Sequence, residues 1–124
     1  MTVTDKQLLE KMIKHIDEVI EDIGEMSYDE FINDRKTLKS AVFDVAQVYE
    51  LAKGTADKHQ SLKLTPETFD LIQSDYWFAI SKTRAVAVHR YDTLNLKMFW
   101  DLLKDGLPEL RKIIDDIIAN KEIT

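Results

Sequence analysis

The chain has 124 residues and no cysteine, which excludes both a disulfide framework and a cysteine zinc site. It has only 3 glycines and 2 prolines, and no strand-like alternation of useful length, so its periodic signal is helical throughout. No apolar run approaches the roughly 20 residues of a membrane span. The start, Met1-Thr2-Val3-Thr4-Asp5-Lys6, lacks the charged-then-apolar order of a secretion signal; the expectation is a cytoplasmic protein that does not engage a membrane. The three histidines, His15, His59 and His89, are far apart, and no His-Glu-x-x-His spacing occurs, so neither a metal site nor a cofactor is expected. Excess positive charge is lacking as well. A formal net charge of −6 argues against a non-specific nucleic-acid coat, which rests on phosphate neutralisation, while leaving room for a local basic cleft.

What is present is a globular composition, 44% apolar and 32% charged, in a chain long enough for one core and most economically one domain over residues 1–124. Thr4-Asp5-Lys6-Gln7 has the form of a capping box. Leu8, Leu9, Met12, Ile13, Ile16, Val19, Ile20 and Ile23 then make one stripe of an amphipathic helix, stopped at Gly24. His15 lies beside this stripe and reads as an edge or surface histidine. Ser27 to Glu30 is a second capping box, opening a short helical turn. Asn33-Asp34 caps a long helix expected from Arg35 to Lys58, with Glu50 near its inner side and Asp34-Arg35-Lys36 reading first as a solvated charge run. His59 falls in the loop that follows. Thr65 and Pro66 restart a helix as N-cap and first helical residue. Trp77, Ile80, Arg84, Val88 and Tyr91 repeat at helical spacing. After a break at Asp92-Thr93, a last helix is expected from Leu94 to Asn120, kinked where Pro108 removes the backbone bond to Lys104, with Gly106 easing the bend. Four main helices and short connections predict an all-α, up-down bundle of four to five helices.

The residues with chemical potential crowd into 81–92. Arg84 carries a permanent charge and a rigid fork of donors suited to phosphate; it also suits a structural bridge between helices. His89 is the side chain most readily made an acid or base near neutral pH, or else a packed or capping histidine. Tyr91 is a core-edge aromatic or a reactive hydroxyl. Arg84 and Tyr91, seven apart, share a helix face, whereas His89 stands about 140° from Arg84 on a regular helix. Convergence of the two therefore calls either for a helix that loosens near His89 or for a second subunit, as in a symmetric dimer, and the second account is preferred.

Arg84-x4-His89-x-Tyr91 resembles the Arg-x(4–6)-His motif, in its extended form ending in x-Tyr, of the HEPN superfamily. The resemblance is nearest to the HepT-like toxins, encoded beside a minimal nucleotidyltransferase antitoxin. Residues 27–37, 49–53, Trp77 and 99–110 share in it, so that it covers about residues 5–118. It implies a HEPN-like helical bundle that forms a homodimer, with the motif helices lining a shared cleft. It further implies a metal-independent endoribonuclease acting on RNA, in which Arg84 and His89 are catalytic. Tyr91 is implied to be the acceptor of AMP from the antitoxin, which inhibits cleavage. Glu50, and Asp34, Arg35 and Lys36, match acidic and basic positions common in the family and are supporting cleft candidates. Arg90 replaces a small residue and adds positive charge there. Ala85 stands where active members usually carry a polar residue, which favours an alternative: a non-catalytic subunit that binds nucleotide or substrate for the nucleotidyltransferase.

Overall fold

The computed structural model describes residues 1–54, 62–89 and 93–121, with the backbone alone at Val88 and His89. Among these residues the fold is all-α, without strands. The expected capping box at Thr4–Gln7 does not form. Helix α1 runs Val3–Ile23, and its N-cap is Thr2, whose hydroxyl accepts from the Asp5 N–H at 2.9 Å. Helix α2, Tyr28–Asn33, has the Ser27/Glu30 capping box in both directions. Asp34 caps helix α3, Arg35–Lys53. This helix ends five residues before the expected Lys58, because Gly54 takes φ 85°, a backbone conformation that glycine adopts without steric cost. Lys58 and His59 lie outside the described residues. Thr65 and Pro66 open α4, Pro66–Leu71, as expected, and α5 runs Trp77–His89.

The last helix departs from expectation in two respects. Its cap is Asn95, whose side chain accepts from the Met98 N–H at 3.0 Å, rather than Asp92-Thr93; Asp92 lies outside the described residues. The irregularity ahead of Pro108 takes the form of a π turn. Helix α6, Leu96–Asp101, widens over Leu102–Gly106, where the Leu107 N–H bonds to the Leu102 carbonyl five residues back, and continues as α7, Leu107–Asn120. Pro108 thus sits in the first turn of α7, where its missing N–H costs nothing. Gly106 has ordinary helical dihedrals, so its role is spatial rather than to ease a bend. A Cβ there would come within 2.5 Å of Tyr76 Cγ and 2.9 Å of Leu102 Cδ1.

Helix α1 packs between α3 and α7, and α3 packs against α5 on its other side. Fully buried Leu9, Met12, Ile16, Phe31, Val45, Ile80, Phe99, Leu103, Leu107, Leu110 and Ile114 form the shared core. Helices α1 and α3 run antiparallel. His15 meets Asp44 in the middle, while Asp5 meets the segment that returns from Ala52 through the Leu64 N–H bond to the Ala52 carbonyl. His15 is therefore no unpaired surface residue. Its Nδ1 lies 2.8 Å from Oδ1 of buried Asp44. Burial pushes the Asp44 carboxyl up, the His15 hydrogen bond opposes this, and the nearby Glu18 charge adds to it. Arg111 ties α7 to α1 with a two-pronged bond to Asp17, at 2.7 and 3.1 Å, and also contacts Asp115.

Asp5, in the first turn of α1, ties that turn to the start of α4. The side chain is buried, and its carboxylate accepts from the Thr65 N–H at 2.9 Å, the Thr65 hydroxyl at 2.7 Å and the Thr68 hydroxyl at 2.6 Å. Burial alone would raise its pKa, but the bonds from Thr68 and Thr65 outweigh that and hold it below its ordinary 3.8. A carboxyl depressed in the folded state stabilises the fold fully above the unfolded value, and that stability is lost as pH falls through the folded value. Asp5→Asn is therefore expected to cost about 2 kcal/mol at pH 7, the range for hydrogen bonds to a charged group. The difference between the two proteins should shrink below pH 4, as urea midpoints at pH 7 and pH 3 would show. An equal penalty at both pH values would mean that the charge is not what holds α4.

Candidate functional site

Helix α5 bears the candidate residues Arg84 and His89. Its polar residues, Ser81 to Arg84 and His89, interrupt an otherwise apolar run, so its faces are distinguished by what covers them. Trp77, Ala79, Ile80 and Thr83 are buried, and Thr83 satisfies its hydroxyl on the Ala79 carbonyl one turn back, at 2.8 Å. Arg84 is half-buried on the side that meets α3. Phe78, 64% exposed, with Lys82 and Ala85, forms a stripe open to solvent.

Arg84 has two neighbours of note. Its Nη2 lies 3.5 Å from Glu50 Oε1, an ion pair at the outer limit of hydrogen-bond distance. Its Cζ stands over the Tyr49 ring, 5.9 Å from the centroid, within cation–π range. On its far side Tyr49 stacks on Trp77, with ring centroids 6.1 Å apart and planes inclined by 20°. The Phe69 edge meets Trp77 at 5.3 Å, and Lys53 lies over Phe69. Arg84 Nε is buried and has no hydrogen-bond partner among the described residues. A buried donor left without a partner costs about 1–3 kcal/mol.

Arg84 and Glu50 are thus brought together. The backbone at His89 is helical, so the condition of a regular helix holds from Arg84 to His89. At the helical period the two positions stand about 140° apart around the axis. Arg90 and Tyr91 lie outside the described residues. Asp34, Arg35 and Lys36 are not brought near Arg84 in this chain. They begin α3, about 21–24 Å along its axis from Glu50 at the helical rise, and Asp34 is occupied as a cap. Its carboxylate accepts the Thr37 N–H at 3.1 Å and hydroxyl at 2.9 Å, which hold its pKa below the ordinary value. Tyr49 is not singled out by the sequence. The available signal is the seven-residue interval from Trp77 to Arg84, which leaves room on one helix face for an inserted ring.

Among the described residues, His15, Glu18 and Asp44 bring three possible metal-ligand atoms within 4.8 Å of one another, well apart in sequence from the Arg84 motif. No helix among those residues is long and apolar enough to cross a membrane.

A family model described as ribonuclease HepT-like matches residues 9–117. A protein of Methanocaldococcus jannaschii, provisionally named an RNase, is 24% identical over 118 residues, which cover 94% of this chain and 89% of the relative. A protein of Caldanaerobacter subterraneus subsp. tengcongensis, named in the same way, is 22% identical over 123 residues, covering 96% and 98%. No solved structure matches the chain.

Proposed function

The chain belongs to the ribonuclease HepT-like family, and from that premise we propose that it is a metal-independent endoribonuclease toxin of a toxin–antitoxin pair, acting in the cytoplasm as a single-domain homodimer. One observation carries the reading. Arg84 is held at the α3–α5 seam by Glu50 and Tyr49, while the helix continues to position 89, which the helical period sets about 140° around the axis. A site needing both groups is then completed by a second α5 from a partner copy. The exposed stripe of Phe78, Lys82 and Ala85 supports such pairing, since it leaves a large aromatic open to solvent on this helix.

In this cleft a base removes the proton of an RNA 2′-hydroxyl. The 2′-oxygen bonds to phosphorus, the bond from phosphorus to the 5′-oxygen breaks, and that oxygen receives a proton. The products are a 2′,3′-cyclic phosphate and a 5′-hydroxyl. His89 moves the proton and Arg84 stabilises charge on the phosphorane; Arg90 adds local positive charge. The experiment is cleavage of RNA by purified protein in EDTA, with detection of the cyclic phosphate. Failure to cut any RNA offered would remove the nuclease reading.

The antitoxin in this reading is a minimal nucleotidyltransferase that transfers AMP to Tyr91. The added negative charge repels the RNA backbone. Incubation with ATP and the partner enzyme should add AMP mass to the Tyr91 peptide; an unmodified peptide beside a partner active on another substrate refutes the regulation. A second reading, a non-catalytic nucleotide- or substrate-binding subunit of that enzyme, is favoured by one observation. Ala85 is exposed and offers no hydrogen bond beside Arg84.

A further inference from the structure

We propose that Tyr49 is a positioning residue, whose ring, braced by Trp77, holds the Arg84 guanidinium in the orientation that meets a phosphate. The proposal rests on the reading of Arg84 as the phosphate-binding cation, and goes beyond it by naming what fixes that cation.

Glu50 alone does not orient the guanidinium. A carboxylate aligns an arginine well when two parallel N–H bonds join them. Here a single Nη2–Oε1 approach of 3.5 Å is present, which leaves the group free to swing about that corner. The ring supplies the missing restraint. Trp77 and Arg84 are seven residues apart on α5, an axial gap of about 10.5 Å. Tyr49 of α3 enters this gap, 6.1 Å from the Trp77 ring on one side and 5.9 Å from Arg84 Cζ on the other. Trp77 is itself fixed, being buried and met edge-on by Phe69. A guanidinium over an aromatic face keeps the donors at its rim free. This differs from a carboxylate clamp, which would consume the donors and neutralise the charge that phosphate must see. The buried Nε, without a hydrogen-bond partner among the described residues, agrees with a group set by packing rather than by its own hydrogen bonds.

The test compares Tyr49→Phe, which keeps the ring face, with Tyr49→Leu, which keeps apolar bulk without it; Tyr49→Met replaces the second variant should it fail to fold. Two readouts are taken. The first is solvent exchange of the Arg84 Nε proton by NMR, with the signal assigned by its loss in Arg84→Lys. The expected result is exchange slowed about tenfold or more against free arginine, as for a buried group, in the natural protein and in Tyr49→Phe. In Tyr49→Leu the rate should approach that of free arginine. The second is RNA cleavage, in which Tyr49→Phe stays near the natural rate and Tyr49→Leu loses about 10–100-fold in kcat with little change in KM, the size expected of a misplaced catalytic group. Unchanged exchange in Tyr49→Leu overturns the proposal, as does unchanged cleavage in that variant. If the natural protein cuts no RNA, the nuclease reading fails, and exchange alone decides whether Tyr49 positions Arg84.

Discussion

His89→Ala is expected to lower RNA cleavage in EDTA by about 10²–10⁴-fold, the range contributed by a positioned acid or base. Arg84→Ala should lose about 10²–10³-fold, as when one group stabilising transition-state charge is removed. Arg84→Lys should recover little of that. Lysine keeps the charge, but it is a compact ammonium without the planar fork, and it stacks on a ring less well than guanidinium does. The two losses should also differ in character. Removing His89 abolishes a proton transfer, so cleavage in that variant should lose the pH dependence attached to the imidazole. Removing Arg84 leaves that pH dependence in place at a lower rate. Initial rates on a short RNA across pH 5–9, in EDTA, measure both. Persistent cleavage by His89→Ala would take the histidine out of the mechanism.

The legible parts of this fold are those whose cause lies within a few residues. The Ser27/Glu30 box, the Asp34 cap and the Thr65-Pro66 start each join a side chain to a backbone group three residues on, so their patterns can be read directly. The start of α1 shows where that rule ends. Thr2 and Thr4 offer similar patterns, and the choice between them goes with Asp5, whose partners Thr65 and Thr68 are 60 and 63 residues away. The same limit hides the His15–Asp44 pair, which spans 29 residues. Pro108 announces an irregular helix but not its form; Gly106 is explained by Tyr76, thirty residues earlier on another segment. At the site, the helical period by itself separates Arg84 and His89 by about 140°, and the unbroken helix to His89 agrees. Tyr49 cannot be reached in that way. It belongs to α3, and only the packing of α3 on α5 makes it a neighbour of Arg84.

Mixing two inactive variants is expected to restore activity. Arg84→Ala and His89→Ala, each nearly dead alone, should together recover about a quarter of the natural rate when unfolded together and refolded in equal amounts. The arithmetic follows from the symmetry. Random pairing makes about half of the dimers mixed. If each cleft takes its arginine from one protomer and its histidine from the other, a mixed dimer has one cleft lacking both groups and one with both intact. Half of the dimers with one working cleft of two gives a quarter. A cleft that draws both groups from a single chain predicts no recovery, because each protomer then lacks one of its own. So does a cleft that needs all four groups at once. The separation of about 140° along α5 favours the first outcome. The exposed stripe of Phe78, Lys82 and Ala85 supplies a control. Phe78→Glu, carried by both variants, puts a charge into the face assigned to the partner copy, and it should abolish both the recovery and the dimer seen by sedimentation. Recovery that survives in a monomeric Phe78→Glu background would show that the two chains do not need to share a cleft.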